Sequence, residues 1–252
     1  MDPISSAVQA LVQARRSGGA VSAAQHPLAD DDAAYAVQAG VARELGWFAS
    51  APPSHWKSGG PSREAVLTHA PLPPPGAWAS PASGSAWPLR LRGIEAEVAL
   101  RLGRDVDARQ AAGLDVESAR AWVDAMCVSI EIVESRWAEG IEAPAPCKLA
   151  DLQSHGALVL GAWRPFEARD WARQVCRVTI GPGAEQRFTG THSLGDPAFL
   201  LPAWLRHATR DGAVVKAGTV VTTGTWCGLP FARPGDLVEV VFDGMGSASV
   251  RV

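Results

Sequence analysis

Hydrophobic positions recur at Ile4, Val8, Leu11 and Val12, a helical spacing that predicts a first helix stopped by Gly18-Gly19. The stretch DDDAAYAVQAGVARELG predicts a second helix, with an Asp to cap its start and Gly46 to end it. From Pro52 to Pro88 the periodicity fades among Pro, Gly and Ser, which predicts long loops with short strands. SHWKSGG lies in that region. From Leu89 onward the pattern turns β-rich. IEAEVALRLG predicts a strand, and ARAWVDAMCVSIEIVESRW a helix running into a strand. GALVLGAW, CRVTIG and TVVTTG predict further strands, and PGDLVEVVFDGMGSASVRV predicts two around an Asp-Gly turn. DPAFLLPAWLRHATRDG predicts a helix closed by Gly212. The result is an α+β chain with a helical N-terminal part and active-site loop over 1–70 and a β-rich catalytic domain over 71–252, together forming one compact unit.

Composition narrows the partners. A net charge of −3 on 252 residues offers no basic face for nucleic acid. No apolar run is long enough to cross a bilayer, and the first residues lack the basic start and apolar core of a signal peptide. Cys127, Cys147, Cys176 and Cys227 are widely spaced, as expected of reduced thiols in a cytoplasmic protein.

Three acids interrupt this pattern. Residues i and i+2 of a strand share a face, so Glu95 and Glu97 stand side by side on the face opposite Ile94, Ala96, Val98 and Leu100. Glu131 sits between Ile130 and Ile132 on a second strand. Carboxylates about 4 Å apart repel by roughly 4 kcal/mol at an effective dielectric of 20, which a cationic neighbour, a shared proton or a metal relieves. Two readings follow from spacing alone: a half-exposed strand with a wet face, or an oxygen-rich site for Mg²⁺ or Mn²⁺.

GIEAEVALRLGRDV, VSIEIVESRW, ADLQSHGALVLG, VKAGTVVTTG and ARPGDLVEVVFDGMGSASVRV follow one another in an order that resembles the 2-keto-4-pentenoate hydratase and 4-oxalocrotonate decarboxylase family of the fumarylacetoacetate hydrolase superfamily. The resemblance implies a mixed β-roll with a small helical N-terminal part, and homo-oligomers. It implies metal ligands at Glu95, Glu97 and Glu131, with Mg²⁺ or Mn²⁺ as cofactor, and catalytic roles for Lys57, in proton transfer, and Ser154. His155, Thr222 and Thr223 are candidate substrate contacts. The implied activity is metal-dependent hydration of a 2-hydroxy-dienoate or 2-oxo-alkenoate in the catabolism of aromatic compounds. Alternatives are decarboxylation of a 4-oxalocrotonate-type substrate, C–C hydrolysis as in fumarylacetoacetate hydrolase, and a partner subunit that retains the fold without activity. Decarboxylation asks for a second cation, for which Arg63 and Arg90 are candidates. The segment after Lys57 departs from the family: no Asp or Glu lies between Ala65 and Glu95, and Ser80 stands near the place of an expected acid. Burial of Lys57 in a loop beside a metal is expected to lower its pKa toward neutrality.

Overall fold

A computed structural model describes residues 2–252. Helix α1 (Pro3–Ser17) starts where the Asp2 side chain accepts the Ser5 N–H at 3.0 Å, and ends at Gly18 in the left-handed region. Helix α2 (Asp31–Glu44) is capped by Asp30, which accepts the Ala33 N–H at 2.9 Å. The two helices cross where Gly40 meets Val8; a Cβ on Gly40 would lie 2.5 Å from a Val8 methyl, so only glycine permits this approach. Short helices α3 (Ala108–Ala112) and α4 (Val116–Arg120) follow, each with a reciprocal capping box. Helix α5 (Ala145–Ala150) packs with α1 and α2 around Trp137, whose buried indole Nε1 donates to the Cys147 carbonyl at 2.7 Å. Helix α6 (Leu201–Ala208) is apolar on its inner face. The single helix expected to close at Gly212 is instead three pieces: a 3-10 turn over Pro197–Leu200, α6 ending at the cap Thr209, and a turn over Arg210–Gly212 in which Asp211 takes a positive φ of 61°.

The strands form two sheets. The larger contains β1 (His55–Gly59), β2 (Thr68–Pro71), β3 (Ala77–Ala79), β5 (Gly93–Leu102), β6 (Val123–Val133), β7 (His155–Leu160), β8 (Arg164–Pro165) and β11 (Val220–Thr222). Its order is β2-β1-β11-β5-β6-β7-β3, with β8 beside β6. The smaller contains β4 (Ala82–Ser83), β9 (Val175–Ile180), β10 (Gln186–Thr189), β12 (Leu237–Phe242) and β13 (Gly246–Arg251), in the order β10-β9-β12-β13-β4. Strands β12 and β13 form the hairpin that the Asp-Gly turn predicts.

The residues 55–59, expected in a loop, form strand β1. Its apolar pattern is too short to announce it, and it is held by parallel pairing with β11, far away in sequence. Ser80 is tied to the roll: its hydroxyl accepts the Ser249 N–H at 2.8 Å.

The main core lies between the sheets. Ile94, Ala96, Val98 and Leu100 of β5 and Met126, Val128, Ile130 and Ile132 of β6 meet Val178, Val240, Phe242 and Val250 of the smaller sheet there. The opposite face of β5 and β6 carries Glu95, Glu97, Ser129 and Glu131. That face is covered as well: Glu97 is 1% exposed and Glu131 0%. The alternation of acid and apolar residues therefore does not mark a wet face.

Candidate active site at three buried carboxylates

Strand register assembles the acids. Glu95 pairs directly with Glu131, and Glu97 pairs with Ser129, so the three carboxylates share one face. Pairing of Ala99 with Thr222 and of Thr222 with Lys57 brings Lys57 across from two strands away. One carboxylate oxygen from each of Glu95, Glu97 and Glu131 lies within 4.8 Å of the others.

Lys57 Nζ donates to Glu131 Oε1 at 2.6 Å and to the Gln153 carbonyl at 3.0 Å. His155 Nδ1 meets the same Glu131 oxygen at 3.1 Å. The other oxygen, Oε2, is buried with no partner. Glu97 Oε2 accepts the Thr222 hydroxyl and, at 2.8 Å, the Gly224 N–H. Glu95 keeps a partial opening to a cavity of about 290 Å³, whose wall also includes Lys57, Glu97, Gln153, Thr222 and Thr225.

The electrostatics are unbalanced. Burial pushes Glu95 up, Lys57 only partly opposes it, and the other two acids add to the rise, which reaches about 8. Burial and the charge of Glu131 also raise Glu97. Burial alone would raise Glu131 too, but Lys57 and His155 outweigh it and hold this carboxyl ionised. For Lys57 the expected lowering is reversed. Burial pulls its pKa down, but Glu131, Glu95 and Glu97 more than offset this, and the net direction is up.

These residues fit a divalent cation. Three carboxylates face one ammonium, an excess of two negative charges when all are ionised. Glu131 Oε2, buried and unpartnered, requires a partner that the chain does not provide. All the donor atoms are hard oxygens, the set that Mg²⁺, Mn²⁺ or Ca²⁺ takes. A cation held among the acids would remove the offset on Lys57 and leave burial to lower its pKa.

Leu152, Gln153 and Ser154 have positive φ in succession, at 56°, 55° and 59°. Three non-glycine residues in this region cost roughly 1–2 kcal/mol each. The turn aims the Gln153 carbonyl at Lys57 Nζ. Sequence reasoning missed Gln153 and the Gly224 N–H, because both act through backbone atoms that carry no residue signature. Of the other candidates, Thr222 faces Glu97 and His155 faces Glu131, whereas Thr223 turns away and donates to the Val98 carbonyl at 2.7 Å. Ser154 lines the adjoining cavity beyond Gln153, with Thr68 and Lys148.

The fold and the acid cluster define a family. Residues 51–252 match the fumarylacetoacetate (FAA) hydrolase C-terminal family, and the chain belongs to it. The 2-keto-4-pentenoate hydratase 1 of Dechloromonas aromatica is 34% identical over 159 residues, 62% of this chain and 58% of that protein. The 2-keto-4-pentenoate hydratase of Burkholderia vietnamiensis is 33% identical over 178 residues, 68% of this chain and 66% of that protein. The match thus spans less than two thirds of the length of these curated relatives. The 4-oxalocrotonate decarboxylase from Pseudomonas putida G7, solved with magnesium and adipate, shares the fold. Its TM-score is 0.84 at 19% identity, covering 98% of this chain and 96% of that one. The mixed β-roll with a small helical part is therefore the fold of this chain.

Proposed function

We propose that the chain is a divalent-metal-dependent hydro-lyase that adds water to a 2-hydroxy-dienoate or its 2-oxo-alkenoate tautomer, in the catabolism of aromatic compounds. The observation that carries this reading is the excess of buried carboxylate over cation at Glu95, Glu97 and Glu131, with one oxygen of Glu131 unpartnered. Those three acids would hold Mg²⁺ or Mn²⁺. The bound cation supplies Lewis acidity at the substrate's 2-oxygen, favouring enolate charge there.

The remaining steps belong to the chain. Lys57 Nζ, fixed between Glu131 Oε1 and the Gln153 carbonyl, holds a proton within the site. Ketonisation of the dienol needs a proton delivered to carbon, and hydration needs one removed from water; in this reading Lys57 serves both. His155 orients Glu131 through Nδ1, and Thr222 with the Gly224 N–H orients Glu97.

The cavity favours a substrate with one carboxylate. Among the described residues lining it, Lys57 is the single cation. Arg63 donates to the Leu194 carbonyl at 2.6 Å and stacks 4.8 Å from the Phe199 ring centre, while Arg90 lines a different cavity. The second carboxylate of an oxalocrotonate-type substrate finds no partner, which favours hydration over decarboxylation. Cytoplasmic location is supported by four unpaired, buried cysteines. Homo-oligomerisation is part of the same proposal and rests on the family resemblance.

Thermal unfolding of the chelator-stripped protein with added Mg²⁺ or Mn²⁺ tests the reading. The melting temperature should rise with metal, and Glu97→Gln should abolish the rise. A variant that keeps the full shift places the metal elsewhere.

A further inference from the structure

A second cavity, of about 320 Å³, opens on the other side of His155, between α1 and the segment Pro73–Pro88. Its walls combine three features. Arg15, Arg90 and Arg136 give it positive charge, Trp47 and Trp87 give it flat apolar faces, and His155 closes its inner end. No residue of the acid cavity described above, among those that line it, is shared with this one.

The wall is net positive: Arg15, Arg16, Arg90 and Arg136 outnumber Glu134 on it and Asp151 behind it. Glu134 is the one carboxylate on the wall, and its two oxygens are taken by the backbone N–H groups of Arg90, Leu91 and Ser135. Arg15 and Arg136 share Asp151 behind the wall, at 2.7 and 2.8 Å. One carboxylate therefore serves two guanidinium groups, and Arg15 Nε is buried without a partner. Burial and its neighbour Arg136 pull Arg15 down to about 9, so the wall gains from an added anion.

His155 fixes the second requirement. Nδ1 is taken by Glu131 in a 3.1 Å contact, which leaves Nε2 as the ring nitrogen for the cavity. Nε2 is buried, has no partner, and belongs to a side chain 1% exposed. A hydroxyl, which can donate or accept, supplies the partner that Nε2 lacks. We propose that this cavity binds a hydroxy-substituted aromatic carboxylate, its carboxylate on the arginines, its ring between the tryptophans and its hydroxyl hydrogen-bonded to His155 Nε2.

The test is titration calorimetry on the chelator-stripped full chain with 3-hydroxybenzoate, 4-hydroxybenzoate and benzoate. At least one hydroxybenzoate should bind about tenfold or more tightly than benzoate, the factor that about 1.4 kcal/mol of hydrogen bonding gives. Arg90→Gln should weaken all three alike. Gly76→Ala should remove the preference. A Cβ there would lie 3.6 Å from His155 Nε2 and 3.6 Å from the nearest backbone atom, ordinary contacts that the fold accepts. Equal binding of benzoate and both hydroxybenzoates, or no saturable heat with any of them, overturns the proposal. So does a preference that survives Gly76→Ala. Binding that requires added Mg²⁺ would place the ligand at the acids instead and also overturn it. The assay needs neither metal nor turnover, so its failure is separate from failure of the hydratase reading.

Discussion

Removing the one cation among three buried acids has a cost that the geometry bounds. Lys57→Met keeps the length of the side chain and deletes the ammonium that lies 2.6 Å from Glu131 Oε1. Left ionised, Glu131 would keep a buried charge with no cation to balance it, a loss of roughly 3–5 kcal/mol when one partner of a buried pair is removed. The escape is to take up a proton. For a carboxyl with an ordinary pKa near 4.3, this costs about 3.7 kcal/mol at pH 7. The metal-free variant should therefore be less stable than the parent by roughly 3–4 kcal/mol at pH 7, in line with other broken buried pairs. The pH dependence follows from the sign of the change. Glu131 in the variant has a raised folded pKa, so its protonated form is stable below the unfolded pKa and loses stability as pH rises. The deficit should thus shrink by about 1.4 kcal/mol for each unit below pH 7, to roughly half at pH 5.5. Urea unfolding of both proteins from pH 7.5 to 5 measures this, and Mg²⁺ should restore more stability to the variant than to the parent. A deficit below about 1 kcal/mol, or one that does not change with pH, would show that Lys57 does not balance these acids.

Two further perturbations probe the scaffold. Burial beside His207 and Arg210 holds His69 down to about 3, and burial holds His192 down to about 4. Both are neutral in the fold and charge on unfolding, so stability is intact above pH 6.5 and falls as pH drops toward 4. Each contributes about 1.4 kcal/mol per unit, and denaturant midpoints that stay flat between pH 6.5 and 5 would contradict this. Asp151 is fully buried and accepts from Arg15 Nη2, Arg136 Nε and the Arg136 N–H, tying α1 to the segment after β6. Asp151→Ala should cost roughly 3–5 kcal/mol, read as a fall in thermal midpoint, and a loss under about 1 kcal/mol would remove this tether from the account.

The three acids were legible because strand alternation is local. Glu95 and Glu97 must share a face, and Glu131 stands out between two isoleucines. Their burial was not legible, since it depends on helices and loops that cover this face of the sheet. Lys57 was identified through family resemblance and expected in a loop. Its strand exists because β11, far along the chain, pairs with it, and no local pattern reports such a partner. The direction of its pKa also depended on distance, because three acids outweigh burial. Thr222 and Thr223 look equivalent in sequence, yet adjacent strand residues face opposite sides, and only Thr222 reaches Glu97. Gln153 escaped notice because its contribution is a carbonyl aimed by a left-handed turn.

The central claim is a metal-dependent hydration, and one product assay tests it most directly. Chelator-stripped protein is given 2-hydroxypenta-2,4-dienoate with and without Mg²⁺ or Mn²⁺, while the dienol absorbance and the NMR spectrum of the product are followed. The account predicts 4-hydroxy-2-oxopentanoate only when metal is present. Ketonisation alone, or no reaction, from a protein that still binds metal would contradict it.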